Sequence, residues 1–123
     1  MGQRVGILAV QGDVEAHANA LERLGADALR VLRASQLREG DALILPGGES
    51  TVIAKGLDRL LLWEPLCEFA ASGRPILGTC AGAILLAMRV ENHPVRTLGL
   101  LDMTASRNAY GTQVDSFAAE VDL

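Results

Sequence analysis

An α/β fold, a mostly parallel sheet with helices on both faces and an antiparallel outer strand, is what the sequence predicts. Three observations carry it. Short apolar runs of strand length alternate with stretches in which apolar residues recur every three or four positions. Three of those runs end in a glycine-bearing loop: Gln11-Gly12, Pro46-Gly47-Gly48 and Gly78-Thr79-Cys80. With 123 residues, 50% of them hydrophobic, the chain is also the right size for one domain, residues 1–123, with a modest core. Strand and helix in alternation require right-handed crossovers between parallel strands, and ligands then bind at the strands' carboxyl ends.

The elements follow in order. Residues 4–10 are rich in Val, Ile and Leu, as a strand buried on both faces would be, and Gln11-Gly12-Asp13 breaks them. Val14, Ala18, Leu21 and Leu24 then form one helical face that stops at Gly25. Residues 28–32 make a second strand, and Ser35 can cap a short helical turn before Gly40. Residues 41–45 make the third strand, ended by Pro46-Gly47-Gly48. Two helical segments, 51–63 and 65–71, lead through the turn Gly73-Arg74-Pro75 to a fourth strand at 76–78 and its helix at 81–90. Residues 98–104 suit a further strand, and 113–123 alternate as an outer, antiparallel one would.

The chemistry concentrates at Gly78-Thr79-Cys80-Ala81-Gly82. It is the cysteine counterpart of G-x-S-x-G: flanking glycines let the chain turn sharply from strand to helix, so the nucleophile stands exposed at the strand end. A helix N-terminus behind it favours the thiolate, the form that attacks. The competing reading is a small cysteine packed between glycines. The second constellation is Pro46-Gly47-Gly48-Glu49-Ser50-Thr51. The N–H of Gly48 and that of Ala81, the residue after the nucleophile, could converge on one oxygen as an oxyanion hole. A tight turn before a helix capped by Ser50 or Thr51 would need the glycines too. A phosphate cradle is disfavoured, because no G-x-x-x-x-G-K-[ST] is present and Glu49 would repel phosphate. Cys67, in a helical stretch, reads as core filling.

A net charge of −4 with scattered basic residues argues against a nucleic-acid or anionic-membrane partner. Two cysteines, no signal-peptide pattern and no apolar run of about 20 residues give the expectation of a soluble, cytoplasmic protein with free thiols.

Taken in order along the chain, Gln11-Gly12, Leu45-Pro46-Gly47-Gly48-Glu49-Ser50-Thr51, Gly78-Thr79-Cys80-Ala81-Gly82, Leu98-Gly99-Leu100-Leu101-Asp102, Arg107-Asn108-Ala109-Tyr110-Gly111 and Gln113-Val114-Asp115-Ser116-Phe117 resemble the glutaminase subunit of pyridoxal 5'-phosphate synthase, a class I glutamine amidotransferase. The resemblance implies a flavodoxin-like three-layer α/β/α domain that hydrolyses L-glutamine to L-glutamate and ammonia. It implies delivery of the ammonia to a (β/α)₈-barrel synthase subunit, with no cofactor or metal in the glutaminase itself. By the same resemblance Cys80 is the nucleophile, Gly48, Glu49 and Ser50 belong to the glutamine-binding loop, and Arg107 meets the substrate, where its guanidinium fork suits an amino-acid carboxylate.

The family's late segment carries a His-Pro-Glu motif that supplies the base and its orienting carboxylate, and no such motif occurs among these 123 residues. Neither His17 nor His93 matches it, and neither is given a role. The expectation is therefore an incomplete copy of a longer subunit, with little activity on its own. Two alternatives stay open: a non-catalytic glutamine-binding or docking subunit, and a hydrolase of related fold.

Overall fold

The computed structural model describes residues 2–91, 95–107 and 117–121. Its elements run β1 (Arg4–Leu8), α1 (Val14–Arg23), β2 (Asp27–Val31), α2 (Ala34–Arg38), β3 (Ala42–Leu45), α3 (Ser50–Leu60), α4 (Trp63–Ala71), β4 (Ile76–Gly78), α5 (Ala81–Leu86), β5 (Ala87–Glu91), β6 (Leu101–Arg107) and β7 (Phe117–Val121). β2, β1, β3 and β4 form a sheet in that order, every pair parallel. β5, β6 and β7 form a second sheet, in which β5 and β6 are parallel and β7 is antiparallel to β6.

Alternation along each strand sends side chains to two faces. Val5, Ile7 and Ile44 meet Ala18 of α1 on one face. Leu8, Leu43 and Leu45 face the other way, into the larger core built by Leu37, Ile53, Leu57, Leu66, Phe69, Ala81 and Leu85. Helices thus cover both faces, α1 on one and α2 to α5 on the other, which is the predicted α/β arrangement. The cover is uneven. Ile7, Ile44 and Leu77 stand side by side in register, yet their exposures rise from 0% through 8% to 57% toward β4.

One element departs from expectation. The helix predicted over 81–90 ends at Leu86, and 87–91 is a strand. The reason is competition for backbone partners. Leu98 N–H donates to Leu85 O at 2.7 Å and Leu100 N–H to Leu86 O at 3.0 Å, taking carbonyls that a longer helix would have used. Ala87 then adopts extended backbone and β5 pairs with β6. There Arg89 donates to Thr104 Oγ1 and Asp102 Oδ1, both at 2.9 Å. Tertiary pairing overrides a sequence, Ala-Met-Arg, that on its own favours helix. The helical region after the third strand does divide in two, because Leu61 takes left-handed backbone at φ 56° and closes α3.

Leu61 is 79% exposed, so its positive φ costs strain with little burial in return. Leu61→Gly is expected to stabilise the fold by about 0.5–1 kcal/mol in urea denaturation, relief of strain outweighing the added freedom of the unfolded chain.

α1 is tied to β2 by a two-pronged pair: Arg30 Nε donates to Glu15 Oε2 at 2.7 Å and Arg30 Nη2 to Oε1 at 2.6 Å. The hydrogen bond from Arg30 holds the Glu15 carboxyl below its ordinary value, and the same bond raises Arg30. A lowered carboxyl contributes stability above its unfolded pKa, about 4.3, and loses it as pH falls through the folded value. Both side chains are exposed, so the contribution is small and screened by salt. Glu15→Gln should lower the melting temperature slightly at pH 7, and the difference should vanish in strong acid or high salt.

Candidate active site

Sheet register creates the site. Leu45, the last residue of β3, pairs with Gly78, the last of β4, so the loops that follow leave the sheet side by side. Thr79 N–H donates to Leu45 O at 3.0 Å, which extends the pairing by one residue. The chain then turns at Cys80, whose φ of 50° and ψ of −117° no ordinary strand or helix residue adopts. Such a conformation costs about 1–3 kcal/mol in a non-glycine residue, and strain of this kind gathers at functional sites.

The flanking glycines are required by close approach. A methyl group at Gly78 would lie 2.8 Å from the carbonyl of Gly82, and one at Gly82 would overlap the carbonyl oxygen of Leu45. Only without them can α5 begin directly over the strand ends. Ile84 N–H and Ala83 N–H donate to Cys80 O at 3.2 and 3.0 Å, so the helix starts immediately behind the thiol. Cys80 is exposed and unpaired in any disulfide. Ala81 is fully buried at the first helical position, where the geometry of a helix leaves its N–H without an intrahelical acceptor.

The diglycine loop faces the sulfur. A methyl group at Gly47 would sit 3.2 Å from Cys80 Cβ and 3.7 Å from Sγ, so loop backbone lies where it can reach a group bound at the thiol. Gly48 adopts φ 138°. Glu49 serves as the N-cap of α3, its carboxylate accepting from Thr51 N–H at 3.3 Å and Val52 N–H at 3.0 Å. The cap is therefore Glu49, whereas the sequence offered Ser50 or Thr51. Ser50 is instead the first helical residue, fully buried, and its hydroxyl has no hydrogen-bond partner among the described residues. A buried hydroxyl left so costs about 1–3 kcal/mol.

A third loop joins them. Gln11 Oε1 accepts from Glu49 N–H at 2.7 Å, and a methyl group at Gly48 would lie 2.9 Å from the same oxygen. Gly12, at φ 99°, leaves room for the carbonyl oxygen of Gly47, which a Cβ there would overlap. In the sequence, Gln11-Gly12 marks a strand break and part of a resemblance, and nothing local assigns either residue a task. The available signal was position: β1 lies next to β3, so the loop after it opens at the same sheet edge.

The described residues thus bring Cys80, Ala81, Gly48, Glu49 and Ser50 to one edge. Arg107 is the last residue of β6 in the second sheet, paired with Phe117. Its side chain, and Asn108 to Gly111 after it, lie outside the described residues, as does His93. His17 sits on α1. Cys67 is exposed, which corrects its assignment to the core. The buried stripe of α4 is Trp63, Leu66 and Phe69, and one residue past Leu66 is about 100° around the helix.

Residues 7–123 match the SNO glutamine amidotransferase family. The chain belongs to that family. It is 49% identical over 120 residues to the pyridoxal 5'-phosphate synthase subunit PdxT of Shouchella clausii, covering 98% of this chain and 62% of the relative. It is 52% identical over 122 residues to the same subunit of Acidothermus cellulolyticus, covering 98% of this chain and 59% of that one. A crystal structure of a glutamine amidotransferase superposes with a TM-score of 0.81 at 42% identity, over 89% of this chain and 59% of that one. The chain spans about three fifths of the length of the curated relatives it matches. This membership agrees with the flavodoxin-like reading of the fold, and among the described residues no helix is long and apolar enough to cross a membrane.

In this amidotransferase-family elbow, Gly82→Ala meets main-chain atoms that cannot swing aside. It is expected to cost at least about 2 kcal/mol in urea denaturation, by overpacking. Gly73→Ala, at positive φ but with open space around it, should cost less.

Proposed function

We propose that the protein is a glutaminase that hydrolyses L-glutamine to L-glutamate and ammonia with Cys80 as nucleophile. The observation that carries the reading is the exposed, strained Cys80 at the head of α5 with the Gly47 backbone against its sulfur. The Cys80 thiolate attacks the side-chain amide carbon, forming a C–S bond while the carbonyl electrons move onto oxygen. The N–H groups of Gly48 and Ala81 receive that oxyanion. The C–N bond then breaks as the nitrogen takes up the proton that the thiol released to solvent on ionising and leaves as ammonia, and water cleaves the glutamyl thioester to glutamate and free thiol.

Gly48, Glu49 and Ser50 hold the amino acid, and Arg107 meets its carboxylate. The buried Ser50 hydroxyl supports this, since it has no hydrogen-bond partner among the described residues and a polar ligand would supply one. Glu49 contributes mainly through its backbone, because its carboxylate oxygens accept from the α3 amides. The relatives are named as subunits of pyridoxal 5'-phosphate synthase, which supports a further step in which the ammonia passes to a synthase subunit making that product. The (β/α)₈-barrel form of that subunit and the cytoplasmic setting are what the sequence resemblance implies.

A glutamine-derived diazoketone tests the reading. It is expected to alkylate Cys80 and spare Cys67, although both thiols are exposed, with protection by glutamine and loss of labelling in Cys80→Ser. Equal labelling of the two cysteines, indifferent to glutamine, would show a reactive surface thiol and no glutamine site.

A further inference from the structure

We infer that Val10 and Gly56 are positioning residues, a side chain and a notch that together hold the Gly47-Gly48-Glu49 backbone against Cys80 through Gln11. The inference deepens the glutaminase reading, since it concerns the loop on which that reading places the oxyanion and the substrate.

Gly56 is an anomaly in α3. It is buried in the helix interior, where glycine is the poorest former after proline, and nothing about the helix backbone calls for it. What calls for it is Val10. A Cβ at Gly56 would collide with Val10 Cγ1, while Val10 Cβ and Cγ2 would each lie 3.5 Å away, so the valine branch occupies the space that any other residue would fill. Val10 packs from there onto the main core.

The next residue is Gln11. Its Oε1 accepts from Glu49 N–H at 2.7 Å, and its Cγ and Cδ would each lie 3.4 Å from a methyl group at Gly48. The loop after β1 therefore grips α3 twice, with Val10 in the notch of the second turn and Gln11 on the amide of the N-cap residue. α3 is a single rigid element, so two grips along its length fix both the height and the tilt of the loop. Gly12 then admits the Gly47 carbonyl, and Gly47 abuts the thiol. A contact six residues into the helix is in this way carried to the reacting sulfur.

Amide hydrogen exchange read by NMR on the 123-residue chain tests the clasp without needing any turnover. In Gly56→Ala the added methyl displaces Val10, and Glu49 N–H should exchange about tenfold faster while the amides of Ile7 and Ile44 stay within about twofold of the parent. Val10→Ala empties the notch and should act in the same direction. The double variant restores an ordinary methyl-to-methyl contact of about 3.5 Å, so its Glu49 exchange should be slower than in either single variant. A valine that merely fills the core predicts no change at Glu49 in the single variants and no reciprocal rescue, and either result overturns the inference. Should Gly56→Ala fail to fold, Val10→Ala alone decides by the same amide. Diazoketone labelling of the parent chain reports separately on the glutaminase reading, so failure of one is distinguishable from failure of the other.

Discussion

Close backbone approach at the carboxyl edge of the sheet is the constraint on which the site depends. Leu45 and Gly78 are paired in register, and the helix after β4 must begin within contact of both. Gly82 lies on the Leu45 carbonyl and Gly78 on Gly82, leaving no space for a side chain at either position. That crowding leaves the turn between them a single residue in which to reverse direction. The residue is Cys80, and its positive φ is the geometric result. Exposure of the thiol therefore follows from packing that has nothing to do with thiols.

Crowding of this kind has costs that the rest of the domain offsets. Backbone strain at Cys80 and a Ser50 hydroxyl unsatisfied among the described residues each amount to about 1–3 kcal/mol, and both fall within the site. Beneath them lie Leu57, Leu66, Phe69 and Leu85, each fully or nearly fully buried. A buried side chain of this size contributes about 1.5–3 kcal/mol, so a few such residues suffice to hold the strained edge. The same accounting separates Cys80 from Leu61, which also has positive φ. Leu61 closes a helix at the surface, where left-handed backbone is a common terminator and carries no chemistry.

Much of this was legible in the sequence because it is written in local signals. Apolar runs with helical periods between them gave the parallel sheet and its helices, and glycines beside a cysteine gave the elbow. The helix over 81–90 failed because its C-terminal half is decided by β6 and by the amides of Leu98 and Leu100, which lie a loop away. Cys67 failed for a narrower reason. The stripe Trp63, Leu66, Phe69 can be read from spacing, but a cysteine one step off it looks apolar in any composition-based reading. Gln11 and Glu49 were opaque because their tasks are pairwise: a side-chain oxygen finding an amide 38 positions away, and a carboxylate turned back to cap its own helix. Neither leaves a mark in the periodicity of either segment.

The uneven cover of the sheet bears on how independent the site is. α1 shields β1 and β2, while along the row Ile7, Ile44, Leu77 the same face opens progressively toward β4 among the described residues. Every contact that shapes the elbow lies elsewhere: α5 and α3 belong to the opposite face, and Gln11, Gly12, Gly47 and Gly48 sit at the strand ends. A three-layer sheet can therefore be thinly covered on one side of β4, among the described residues, and still present the Cys80 thiol at its edge. Substitutions at Leu77 act on what packs over that face, whereas those at Gly82 or Gly56 act on the geometry of the thiol. The two sides of one short strand are thus physically separable.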